Sequence, residues 1–131
     1  MRWIAMIVCA AAALAGACGS DSNAKPTNSE QVIAAWKAAD LGDVELKPLN
    51  EHALGKGDCQ QGQVKGIETT LCVYEDEAAA RAAQKAGLKY VGEKTGSALA
   101  SGKMLLVVAD RKEADPEGRT INKLTKTFLG R

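Results

Sequence analysis

Apolar positions recur along this chain with two different periods, and the period decides which element each stretch predicts. Val32, Ile33 and Trp36 repeat at helical spacing, and Ala39 continues their face. Thr27 and Glu30 stand ahead of them at the spacing of a capping box, and Gly42 is a natural stop. Trp36 lies on the apolar face and is expected to be the main aromatic of the core. Val44 to Leu49 alternates weakly, which suits a short strand, and Pro48 restricts that strand to an edge. Asn50 to Leu54 reads as one helical turn closed by Gly55, with His52 as a solvated loop residue. Glu75, Asp76 and Glu77 put acids at the positive end of an alanine-rich helix, with Lys85 toward its other end. Ala79, Ala82, Ala83 and Ala86 would form its packing face and Gly87 would end it. Leu88 to Val91 follows as a candidate strand, and Gly92 to Gly102 as a turn-rich connection. Met104 to Ala109 is continuously apolar, as expected of an inner strand covered on both faces. After a charged loop from Asp110 to Gly118, Asp115 is placed to cap a last helix with Pro116 as its first residue. That helix would bury Ile121, Leu124, Phe128 and Leu129.

The stretch from Cys59 to Tyr74 carries the strongest local pattern. Lys65-Gly66 between Val64 and Ile67 suits a two-residue hairpin turn with the glycine at positive φ. In that register Val64 pairs with Ile67, Gly62 with Thr69 and Gln60 with Leu71. Cys59 then falls opposite Cys72 in a non-hydrogen-bonded pair, whose Cα atoms lie about 4.5 Å apart. A disulfide tolerates that separation. The alternation places Val64, Ile67, Leu71 and Val73 toward the core. Gln61, Gln63, Glu68, Thr70 and both cysteines would face away from it. A redox-active dithiol is normally Cys-x-x-Cys at a helix start, so this spacing favours a structural bond.

The resulting order is helix, edge strand, then strand, strand, helix twice over, with the third strand of the repeat pair in doubt between strand and loop. The fold class is therefore α+β: a small antiparallel sheet in ββα-ββα order with an extra N-terminal helix. Helices lie mainly on one face and one disulfide crosses two strands.

The first residues carry a different kind of signal. Met1 and Arg2 precede an apolar run from Trp3 to Leu14, then the small residues Ala15, Gly16 and Ala17, then Cys18. The run is about a dozen residues, whereas a spanning helix needs about twenty, and no basic stop-transfer cluster follows it. The order is that of a secretory signal peptide. With a cysteine immediately after the small residues it resembles the lipobox of bacterial lipoproteins, although Ala15 stands where that family usually has leucine. The resemblance implies cleavage before Cys18, a thioether-linked diacylglycerol on its sulfur and acylation of the new amine. Cys9 would leave with the signal. Residues 1–17 are thus read as the signal peptide, 18–28 as a flexible tether and 29–131 as one α+β domain. The tether is small and polar, with a random-coil reach of roughly 15–20 Å. The resemblance also implies the cell envelope as location. In a Gram-negative cell, Gly19 in place of the retention aspartate implies the outer membrane, facing the periplasm. Cys59 and Cys72 remain as an even pair in an oxidising compartment.

Composition narrows the functional classes. The chain has 17 Lys and Arg, of which Arg2 leaves with the signal, against 16 Asp and Glu. The mature balance is formally zero, which gives no overall field toward nucleic acid. Aromatics are 4%, too few for base- or sugar-stacking platforms, and His52 is the one histidine. That argues against a metal centre, a Ser-His or Cys-His nucleophile and any cofactor.

Three groupings remain to be weighed. Gly96 to Met104 superficially suits a phosphate loop. It has one residue too many between Gly96 and Gly102, Met104 where Ser or Thr should hold magnesium, and a strand where a helix should follow. No nucleotide is expected. Asp110, Arg111, Glu113 and Asp115 offer paired carboxylates for acid–base chemistry, or simply a solvated loop. Arg119, Lys123 and Lys126 make a basic stripe at i, i+4 and i+7 that suits anionic lipid heads or an acidic partner, or simply the solvent face of the last helix. Two functions compete on this basis. The first is a lipid-anchored, non-catalytic binding or assembly module touching an envelope protein or peptidoglycan. The second is a small envelope hydrolase using Asp110 and Asp115.

Overall fold

The computed structural model describes residues 25–131. Cys9, Cys18 and most of the tether lie outside the described residues. The described chain forms helix α1 (Ser29–Ala38), strands β1 (Lys47–Leu49), β2 (Asp58–Val64) and β3 (Ile67–Val73), helix α2 (Glu77–Val91), strands β4 (Gly96–Ser101) and β5 (Met104–Ala109), and helix α3 (Arg119–Phe128). The sheet is antiparallel in the order β1-β2-β3-β5-β4. Among the described residues no helix is long and apolar enough to cross a membrane.

The β2–β3 hairpin has the register its turn residues predict, from Val64 opposite Ile67 to Cys59 opposite Cys72. Both Lys65 and Gly66 take positive φ, as the turn requires. Cys59 and Cys72 are disulfide-bonded. β1 is a three-residue edge strand containing Pro48, as expected. β5 is buried at all six positions between β3 and β4.

Both faces of the sheet are covered. Helices α1 and α3 share one face, where Val32, Trp36, Ile67, Leu71, Met104, Leu106, Val108, Leu124 and Phe128 form one core. Helix α2 covers the other, where Leu54, Cys59, Cys72, Tyr74, Ala80, Ala83, Leu105 and Val107 form a second. This corrects the reading of the cysteines. They do lie on the face opposite Leu71, but α2, Leu54 and Tyr74 enclose that face, so the bond is buried. Thr70 is buried there too, while Val73, the last residue of β3, is 36% exposed instead of facing the core. Trp36 is fully buried and its Nε1 donates to the Leu124 carbonyl at 3.0 Å, linking α1 to α3.

Several boundaries differ from those the sequence suggests. The cap of α1 is Asn28, one residue later than Thr27, and its side chain accepts from the Gln31 N–H. Gln31 Oε1 in turn accepts from the N–H and hydroxyl of Thr27. Asparagine is the stronger cap, so the motif shifts by one position. The helix ends before Gly42: Asp40 takes the left-handed position, and Leu41 N–H returns to the Trp36 carbonyl at 3.0 Å. No helical turn forms between Asn50 and Leu54.

Helix α2 does not stop at Gly87 but runs to Val91, capped by Asp76 at its start and by Gly92 at positive φ at its end. Leu88 to Val91 is therefore helix, not strand. Gly87 faces the sheet, where a Cβ would stand 2.8 Å from that of Ala98 and 3.0 Å from Val107. It serves close approach, not termination. The buried face is Ala80, Ala83, Gly87 and Val91, rotated from the expected one. With alanine at six positions between 78 and 86, the pattern does not set the phase of the helix. The turn-rich connection proves to be strand β4, hairpinned to β5 through Gly102-Lys103. On its outer side the Ala100 N–H donates to Gln84 Oε1 of α2 at 3.0 Å.

Candidate functional site

The chemistry-bearing residues fall into three places. At the end of β5, Asp110 and Asp115 are only 4% and 8% exposed. Asp110 Oδ1 accepts from the Ala114 N–H at 2.8 Å, and its Oδ2 from the Asp115 N–H at 2.9 Å. Asp115 Oδ2 accepts from the Ile121 N–H at 2.9 Å, the third residue of α3. The expected cap is thus present in kind, but it reaches across six residues. Gly118 occupies the N-cap position, the helix starts at Arg119, and Pro116 stays in the preceding loop. Three of the four carboxylate oxygens therefore satisfy backbone donors that burial would otherwise orphan.

The two carboxylates also border a polar cleft of about 440 Å³ with Glu93, Lys94, Thr95, Glu113 and Pro116. Arg111 is not part of it. Its Nε donates to Glu68 Oε2 at 2.6 Å, its Nη2 to the Tyr90 carbonyl at 2.8 Å, and its guanidinium lies 5.2 Å from the centre of the Tyr90 ring. The Tyr90 hydroxyl meets Gln61 Nε2, which also donates to Thr70 Oγ1. Arg111 is thus engaged in a network across β2, β3 and α2, away from the two aspartates. Replacing Asp110 by alanine is expected to lower the unfolding free energy by about 2–3 kcal/mol, because two backbone N–H groups lose their acceptor. Urea unfolding followed by circular dichroism measures it.

The second place is an apolar groove of about 540 Å³ between α2 and the loop before β2. Ala53, Tyr74, Ala79, Ala82, Ala83 and Ala86 line it, so the four alanines that the sequence marks as a packing face border a groove, and of the four only Ala83 is also buried in the core. His52 shapes the loop and is not simply solvated. Its Nδ1 accepts from the Leu54 N–H at 3.1 Å, which leaves Nε2 to donate to the Gly57 carbonyl at 3.2 Å. Tyr74 donates its hydroxyl to the Leu54 carbonyl, and its ring covers Gly57, where a Cβ would come within 2.6 Å. Burial raises the Tyr74 pKa above its ordinary value.

The third place is the outer face of α3. Arg119, Lys123 and Lys126 are all exposed. Arg119 pairs with Glu117 at 3.1 Å, and among the described residues Lys123 and Lys126 make no ion pair. The structure brings these three cations together on one face and keeps them apart from Asp110 and Asp115, whose loop ends where the helix begins. Sequence reasoning missed Glu68, Tyr90 and Gln61, the partners of Arg111. No local signal marks them, since they come from three separate elements.

Among the described residues no group of three or more His, Cys, Asp and Glu side chains is placed to hold a metal ion. No family model, curated protein or solved structure matches this chain.

Proposed function

We propose that this protein is a lipid-anchored, non-catalytic binding or assembly module of a bacterial cell envelope. The carrying observation is the order of Arg2, the apolar run, the small residues and Cys18. A disulfide-bonded domain is consistent with an oxidising compartment. Asp110 and Asp115 devote most of their oxygens to the backbone, which supports a binding role over an acid–base one. The partner is an envelope protein or peptidoglycan.

Metabolic labelling with palmitate tests the anchor. Label and the matching intact mass are expected on the mature chain, and Cys18→Ala is expected to abolish both and release the protein from the membrane fraction. A secreted chain without lipid overturns the reading. Crosslinking in intact envelopes identifies the partner.

The cleft shared by Asp110, Asp115, Glu93 and Glu113 favours a second reading, a small envelope hydrolase. Under it, Asp115→Asn abolishes turnover of a substrate while leaving the fold intact.

A further inference from the structure

From residue 18 onward the chain is formally neutral, yet its charge is segregated. From Arg119 to Arg131 there are four cations and no acid. At about 100° per residue, Arg119, Lys123 and Lys126 point opposite to Leu124 and Phe128, which are fully buried against the sheet. The cations therefore project straight outward from the α1/α3 side of the molecule.

The place where the tether joins the domain gives this face a direction. Lys25 packs at the C-terminal end of α3, where a Cβ on Gly130 would lie 3.0 Å from the Lys25 Cβ. Lys25 and Thr27 also border a small cavity with Lys103 and a single acid, Glu77. Lys25, Lys103, Lys126 and Arg131 thus surround or adjoin the tether's exit. Cys18 is seven residues before Lys25. Even fully extended, seven residues span at most about 25 Å. Helix α3 is ten residues, about 15 Å, and its C-terminal end lies at that exit, with Arg119 at the far end. A lipid on Cys18 therefore holds the whole basic face within reach of the headgroups.

We infer that the basic face of α3, carrying Arg119, Lys123 and Lys126, docks on the anionic bilayer into which the Cys18 lipid inserts, and so sets the orientation of the domain. This rests on the reading of Cys18 as the anchored residue. The acyl chains supply the attachment and the cations supply the direction. Each cation near an anionic surface favours the docked orientation by roughly fivefold, an effect that fades beyond about 8–10 Å at moderate salt. In that orientation the α2 groove, on the other face of the sheet, stays open to the aqueous side.

The test does not depend on lipidation in the cell. With Cys59 and Cys72 bonded, Cys18 is the single free thiol of the chain from residue 18 onward. Coupling it to a maleimide lipid fixes the chain to vesicles of phosphatidylcholine alone or of phosphatidylcholine with phosphatidylglycerol. Lysine acetylation read by mass spectrometry then reports orientation. Lys123 and Lys126 are expected to react several-fold more slowly on the anionic vesicles than on the neutral ones, with Lys85 of α2 unchanged. The difference should vanish in 1 M salt. In Arg119→Gln/Lys123→Gln, the protection of Lys126 should fall to the neutral-vesicle level. Equal acetylation on both vesicles, or protection that survives salt and the double substitution, overturns the inference. Protection that arises only with an acidic peptide, and not on anionic vesicles, assigns the face to a protein partner and overturns it as well. A failure of palmitate labelling with a positive result here refutes the natural anchor alone.

Discussion

Trp36→Ala is expected to destabilise the domain by about 3–5 kcal/mol for the indole volume alone. The side chain is fully buried among Val32, Leu41 and the α3 residues Leu124 and Phe128, the core shared by α1, α3 and the sheet. Its loss also leaves the Leu124 carbonyl without the Nε1 donor, a further cost of about 1–3 kcal/mol if water does not replace it. A small domain has a total stability of about 5–15 kcal/mol, so much of the chain would be unfolded near body temperature. Trp36→Phe separates the two contributions, because it keeps most of the ring and removes the donor. It is expected to cost distinctly less than alanine. Urea unfolding followed by far-ultraviolet circular dichroism measures both variants. A loss below about 1 kcal/mol in the alanine variant would show that α1 does not depend on this anchor.

The second large effect is at the disulfide. Cys59→Ser/Cys72→Ser is expected to cost about 3 kcal/mol from the reopened loop in the chain-entropy model. That corresponds to a fall in melting temperature of about 12–24 °C for a domain of this size. Burial adds to it. Both sulfurs sit among Leu54, Tyr74, Ala80 and Leu105, where serine hydroxyls would replace apolar surface. Cys59→Ala/Cys72→Ala avoids the hydroxyls and is expected to melt above the serine pair and below the native chain. Calorimetry of the three proteins orders them. An unchanged melting temperature in the serine pair would mean the hairpin holds its register without the bond.

The parts legible in the sequence share a property: their signal is local. Lys65-Gly66 sets the hairpin turn, and the turn carries Cys59 to Cys72 by counting alone. The run from Met104 to Ala109 needs no context to be an inner strand, and Leu124 and Phe128 mark the buried side of α3. What escaped was decided by distant elements. Gly87 resembles a helix stop because nothing nearby tells that Ala98 and Val107 press against it. The same close approach makes β4 a strand of small residues, with little apolar alternation to recognise. Alternation put both cysteines on one face correctly, but their burial depends on α2 and on Leu54. For the candidate site, the residue types at Asp110 and Asp115 were visible and their work was not. The acceptors matter because the loop folds Ala114, Asp115 and Ile121 N–H groups onto them.

The contact between Gln84 and the outer backbone of β4 has a consequence for the protein at high density. A sheet rim with free amide and carbonyl groups recruits strands from other molecules. Here one rim is only the three residues of β1, interrupted by a proline, and the other already spends a donor on its own helix. Neighbouring copies therefore find few openings for strand exchange, and crowding many of them together favours separate globules over a growing fibre.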